Sequence, residues 1–166
     1  FKVFNNQPGC FFLDSAVRTR QRGRFSFLGA HPFERFICRQ GSPFEKLRTS
    51  LNRYRINKPK QSIPFCGGAV GYFAYDLGFS LEKKVKSLPG KQASLIPDCC
   101  FAFYNSVLIF DHFSKRLHIC CVGFPEKRES LARLLCQDNL KKIKSLLERA
   151  KETPVEKDIL SPQEIR

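Results

Sequence analysis

The stretch PFCGGAVGYFAYDLG, residues 64–78, sets Gly67, Gly68 and Gly71 among aromatic residues. Two phosphate-binding readings fail on it. A P-loop needs a lysine and a hydroxyl straight after its last glycine, the ammonium for the phosphates and the hydroxyl for magnesium. Here Tyr72 and Phe73 follow Gly71. A dinucleotide fingerprint needs G-x-G-x-x-G opening a helix. The spacing here is G-G-x-x-G, and the residues after Gly71 still read as strand. What remains is close approach, since glycines within a strand let another backbone or a ligand come near. Residues 65–75 are therefore expected to form a buried scaffold strand with small side chains, ending at the Tyr75–Gly78 turn.

Upstream of it, CFFLDS (10–15) reads as a short strand, and RFSFLGA (24–30) alternates so that Phe25 and Phe27 share a face. FERFICR (33–39) alternates too, and the three are expected to form an antiparallel meander. Ser42-Pro43 predicts a helix start, with Ser42 as N-cap. Phe44, Leu47, Leu51 and Tyr54 then recur at helical spacing. Downstream, Cys99–Asp111 reads as one long apolar strand, returned by LHICCVG (117–123) as a hairpin. Glu129–Lys151 carries Leu131, Leu134, Leu135, Ile143, Leu146 and Leu147 at helical spacing. The fold class expected is α+β, a mostly antiparallel sheet with flanking helices. Residues 1–152 would make a single domain, and 153–166, with two prolines and many charges, a linker.

The 166 residues are 42% hydrophobic and 27% charged, which is globular composition. No apolar run approaches the ~20 residues of a membrane span. The chain opens on Phe1 and holds no Met, so a processed or excised piece is expected. Its eight cysteines form no C-x-x-C pair. They read as small buried hydrophobes rather than metal ligands, and so many free thiols point to a reducing compartment, the cytoplasm. The net charge of +14 would draw polyanions. It is spread over Arg18, Arg20, Arg22 and Arg24, over Lys83–Lys91, and over the last helix.

A nucleic-acid-binding module is an alternative, because basic and aromatic residues interleave in RGRFSFLGAHPFERF (22–36). Arg24, however, intervenes between Arg22-Gly23 and Phe25, which breaks the RNA-recognition signature. No catalytic residue is expected within the chain. His31, His112 and His118 belong to no nucleophile signature, and Asp14-Ser15, Asp76 and Asp111 read as turn and cap formers.

Taken in order, FFLDSA, GRFSFLGAHP, IPFCGGAVGYFAYDLG and IPDCCFAFYNSVLIFDH resemble the N-terminal region of component I of the chorismate-using amidotransferase synthases, over residues 8–123. That family comprises anthranilate synthase and aminodeoxychorismate synthase. Leu77-Gly78 after Tyr75-Asp76 leans toward the aminodeoxychorismate, 4-aminobenzoate (folate) branch. The resemblance implies a two-sheet fold shared with a C-terminal chorismate-binding domain that holds the active site and Mg2+. It also implies a glutamine amidotransferase subunit as partner. A tryptophan half-site between the sheets is implied at Leu13, Ser15, Arg24 and Phe25, with Asp14 in place of the family's usual Glu.

Overall fold

The structure is a computed structural model. It describes residues 2–15, 23–39, 41–56, 64–78 and 96–152. The expectations placed on Arg18, Arg20 and Arg22, on Lys83–Lys91 and on the linker 153–166 lie outside these.

Seven strands and three helices are described: α1 (Lys2–Asn5), β1 (Phe11–Leu13), β2 (Phe25–Gly29), β3 (Glu34–Cys38), α2 (Phe44–Arg53), β4 (Gly68–Phe73), β5 (Cys99–Tyr104), β6 (Ser106–Asp111), β7 (Arg116–Cys121) and α3 (Glu129–Glu152). They build two antiparallel sheets, a four-stranded one ordered β1-β2-β6-β7 and a three-stranded one ordered β3-β5-β4. The α+β class is as the sequence implies.

The meander is not formed. β1 and β2 pair, with Phe11 opposite Gly29, but β3 lies in the other sheet beside β5. The second edge of β2 is taken by β6, with Phe25 opposite Asp111. Between β2 and β3 the backbone turns at His31, which adopts a left-handed φ of 54° and donates its N–H to the Pro8 carbonyl.

The apolar run 99–111 is two strands, not one. It breaks at Asn105, and its halves become interior strands of different sheets. Before the break, Ala102 and Tyr104 face the inter-sheet core; after it, Val107 and Ile109 do. The facing parity has shifted by one residue at Asn105.

Asn105 is buried and holds this seam together. Its Nδ2 donates to the Phe124 carbonyl at 2.7 Å. Its Oδ1 accepts from Ser106 Oγ at 3.1 Å and from Asn139 Nδ2, on α3, at 3.2 Å. Its backbone carbonyl accepts from the Val122 N–H. Neighbouring Tyr104 sends its hydroxyl to the Gly9 carbonyl at 2.7 Å.

Three apolar clusters follow from this layout. Phe103, Cys99, Cys38 and Leu47 join the three-stranded sheet to α2. Tyr104, Val107, Ile109 and Cys120 fill the space between the sheets, with Phe11, Phe25, Phe27 and Phe65 around them. Leu108, Ile143 and Phe4 join the outer face of the four-stranded sheet to α3 and α1.

Both long helices depart from the sequence reading in detail. α2 begins after Pro43 with no side-chain cap hydrogen bond, so Ser42 does not cap it. Its buried positions are Leu47 and Ser50, while Leu51 is exposed. α3 buries Ile143 but leaves Leu131 and Leu134 in solvent. Glu129 in its first turn and Arg149 and Lys151 in its last complement the helix dipole. The β4 strand is not buried either. It is a sheet edge whose second half, Gly71–Phe73, is exposed.

Candidate functional site

The glycine stretch lies against the inter-sheet core. Gly67 adopts a φ of 124°, a region that side chains disfavour, and a Cβ there would come within 2.9 Å of Val122 and 3.0 Å of the Tyr104 carbonyl. Gly71 permits a still closer approach. A Cβ on it would stand 2.0 Å from the Cys100 carbonyl oxygen and 2.6 Å from Phe101 Cα. The close-approach reading of the sequence thus holds for the backbone of β5.

Between β1–β2 and β4–β5 opens an apolar cavity of about 420 Å³. Leu13, Phe27, Phe65, Val70, Gly71 and Phe101 are among its walls. Its size lies in the range of small-molecule pockets.

The four residues singled out in the sequence cluster at the β1 exit and the β2 entry. Leu13 lines the cavity and is half-exposed. Phe25 packs on the inter-sheet cluster. Ser15 donates its hydroxyl to the Phe25 carbonyl at 2.9 Å, tying the end of β1 to the start of β2. Arg24 forms a two-pronged pair with Asp111: Nε lies 3.1 Å and 3.2 Å from its two oxygens, and Nη2 lies 2.7 Å from Oδ2. The guanidinium also lies 4.8 Å from the centre of the Phe25 ring. Ser15 and Arg24 therefore already have protein partners.

Asp111 was read from sequence only as a strand-closing residue. It does close the strand, accepting from the Phe113 and Ser114 N–H groups. It is also the anchor of Arg24. The signal for this was the pairing of β2 with β6, which brings residues 24 and 111 together and which no local pattern reveals. Hydrogen bonds from Arg24 first, then from Ser114 and Phe113, hold the Asp111 carboxyl well below the usual carboxylate range. A carboxyl so depressed contributes stability above its unfolded pKa of about 4, and that contribution is lost as pH falls through the folded value. Asp111→Asn is thus expected to be less stable than the parent chain at pH 7, with the gap narrowing below about pH 4. Urea midpoints at pH 7 and pH 3 check this; an equal gap at both would overturn it.

A second polar chain lies on the outer face of the same sheet. Buried Ser26 bridges Asp14 Oδ1 at 2.5 Å and His112 Nε2 at 2.6 Å. With serine in the middle and histidine at one end, this is not the order of a nucleophilic triad, in which histidine bridges the other two. Phe25 and Phe27 turn toward the inter-sheet core, away from the platform that base stacking needs. Among the described residues there is no group of three or more His, Cys, Asp or Glu side chains that could hold a metal ion. No described helix is long and apolar enough to cross a membrane. The Cys120 thiol is pushed up to about 11, chiefly by burial, and burial likewise raises Cys99 and Cys121. These are packing thiols rather than nucleophiles.

A family model described as "chorismate binding enzyme" matches residues 9–164. The chain is 32% identical to anthranilate synthase component 1 of Acetivibrio thermocellus, over 72% of this chain and 27% of that protein. It is 31% identical to anthranilate synthase component 1 of Bacillus subtilis, over 65% of this chain and 24% of that one. Aminodeoxychorismate synthase component 1 of Klebsiella aerogenes is 25% identical, over 77% of this chain and 32% of that protein. Among solved structures, anthranilate synthase component I from Streptococcus pneumoniae matches with a TM-score of 0.59 at 21% identity, over 84% of this chain and 34% of that one. That likeness carries the fold. The chain spans between 24% and 32% of these three curated relatives.

Proposed function

From the premise that this chain belongs to the chorismate-binding enzyme family, we propose that it is the N-terminal scaffold and regulatory domain of aminodeoxychorismate synthase component I. The whole protein would convert chorismate and ammonia to 4-amino-4-deoxychorismate, with a glutaminase subunit supplying the ammonia. The active site and its Mg2+ would lie in a C-terminal chorismate-binding segment.

One observation carries the scaffold role, the open end of the sandwich. Register places Ile37, Cys100 and Tyr72 in one row across the three-stranded sheet. The row continues the inner face beyond Ala102 and Val70, which the other sheet covers. Ile37 is 55% exposed and Tyr72 41%. An inner sheet face left half-covered matches a core completed by a further segment of the same protein.

The inter-sheet cavity would hold L-tryptophan, with Leu13 and the phenyl rings against the indole. Ser15 and Arg24 would have to share or exchange their present partners to reach the ligand's charged ends. The branch assignment rests on Leu77-Gly78. A second reading, anthranilate synthase component I, is favoured by the relatives at 31% and 32% identity, both of which carry that name.

The test is one titration on the full-length protein with chorismate and ammonium, without and with L-tryptophan. Under the proposal the product keeps its enolpyruvyl group as 4-amino-4-deoxychorismate, and Leu13→Asp weakens tryptophan binding by about ten-fold. Formation of anthranilate with release of pyruvate selects the second reading. Absence of both products overturns the family-level function.

A further inference from the structure

A larger cavity lies on the opposite face of the four-stranded sheet, remote from the inter-sheet chamber. It measures about 690 Å³ and runs between α3, α1 and the outer side of β2 and β6. Its floor is apolar, made by Leu28, Leu108 and Ile143. One end is polar, where Ser106 and Asn139 meet at the Asn105 amide.

The charged side chains that line it, Lys141 and Lys142, are both basic, and none of the described lining residues is Asp or Glu. Lys142 pairs with Asp138 at 2.7 Å, but both side chains are largely exposed, so the pair can be exchanged for another anion. No ion pair holds Lys141 among the described residues. At the mouth, His31 is fixed in its left-handed conformation and bonds Gln7 Oε1 at 2.8 Å. Non-glycine residues held there recur at ligand clamps.

We propose that this cleft is a binding site for a small organic anion with an apolar body, such as a medium-chain or aryl monocarboxylate. The apolar tail would lie on Leu28, Leu108 and Ile143, and the carboxylate would meet Lys141 and Lys142. The volume suits such a ligand. Lysines over low-dielectric walls attract anions. This site does not depend on the chorismate reading, because none of its residues serves the inter-sheet cavity.

Calorimetric titration of the full chain with octanoate tests it, with 1-octanol and inorganic phosphate as controls. The expected result is saturable octanoate binding, with octanol weaker by about five-fold and phosphate not competing. Lys141→Glu combined with Lys142→Glu, both at exposed positions, should weaken octanoate by about ten-fold and leave octanol unchanged. Ser145→Phe, exposed on α3 at the cleft wall, should reduce binding of both, which locates the site there and not between the sheets. Equal affinity for octanoate and octanol, indifference to the double charge reversal, competition by phosphate, or no binding at all would each overturn the proposal.

Discussion

Replacing Gly71 with alanine is expected to lower stability by about 3 kcal/mol and the melting temperature by roughly 10 °C. The added Cβ would stand 2.0 Å from the Cys100 carbonyl oxygen and 2.6 Å from Phe101 Cα. Both are backbone atoms, so no rotamer change relieves the overlap. Relief requires β4 to draw away from β5, which breaks the Gly71–Phe101 and Tyr72–Cys100 pairings and separates Phe73 from Phe101, whose rings now sit 5.0 Å apart. Gly78 is the control. A Cβ there meets nothing within 4 Å, and its φ is not left-handed. Gly78→Ala should change stability by less than about 0.5 kcal/mol. Thermal melts of the two variants side by side decide the matter, and a Gly71→Ala protein as stable as Gly78→Ala would remove the close-approach role of the glycine stretch.

Asn105→Leu is the second large effect, expected to cost about 2–4 kcal/mol. Leucine matches the side chain in size but removes a donor to Phe124 and an acceptor for Ser106 and Asn139. Each partner left unsatisfied at a buried seam carries its own desolvation cost, which outweighs the gain from an apolar side chain. Asn105→Asp keeps the acceptor and loses the Nδ2 donor, and its charge would face the Phe124 carbonyl, so it should be destabilised as well. Urea unfolding midpoints measure both. A leucine variant at or above parent stability would mean that the seam is held by packing alone.

Elements with strong local signals were legible. The last helix was expected over 129–151 and occupies Glu129–Glu152, because its leucine spacing and terminal charges act within the segment itself. The β2 and β3 strands stand where their alternation put them. Partners were not legible. Alternation says that Phe25 and Phe27 share a face, but not that β6 rather than β3 lies alongside. The break at Asn105 was invisible because the residues on both sides are apolar on both faces, so a shift of parity leaves no mark in the pattern. The helix around Phe4 was missed for the opposite reason, being too short to show a period.

The candidate site was legible through resemblance more than through physics. Phe25 follows from alternation as sharing a face with Phe27, whereas Leu13 came from the resemblance alone; the structure puts Leu13 on the cavity wall and Phe25 on the inter-sheet cluster. That Arg24 would be held by Asp111 depended on a pairing between distant strands.

The seam at Asn105 has a consequence for how this chain is made. As synthesis proceeds from the N-terminus, β3 and β4 both wait for β5, and β2 waits for β6 to cover its second edge. Until residues 99–111 have been added, only β1 and β2 have each other as strand partners, while α2 still lacks Cys99 and Phe103 and α1 lacks Leu108 and α3. Several strands with open edges must then be kept from pairing with neighbouring chains. Both sheets acquire an interior strand from one short continuous stretch, so they should close nearly together, as one event rather than two.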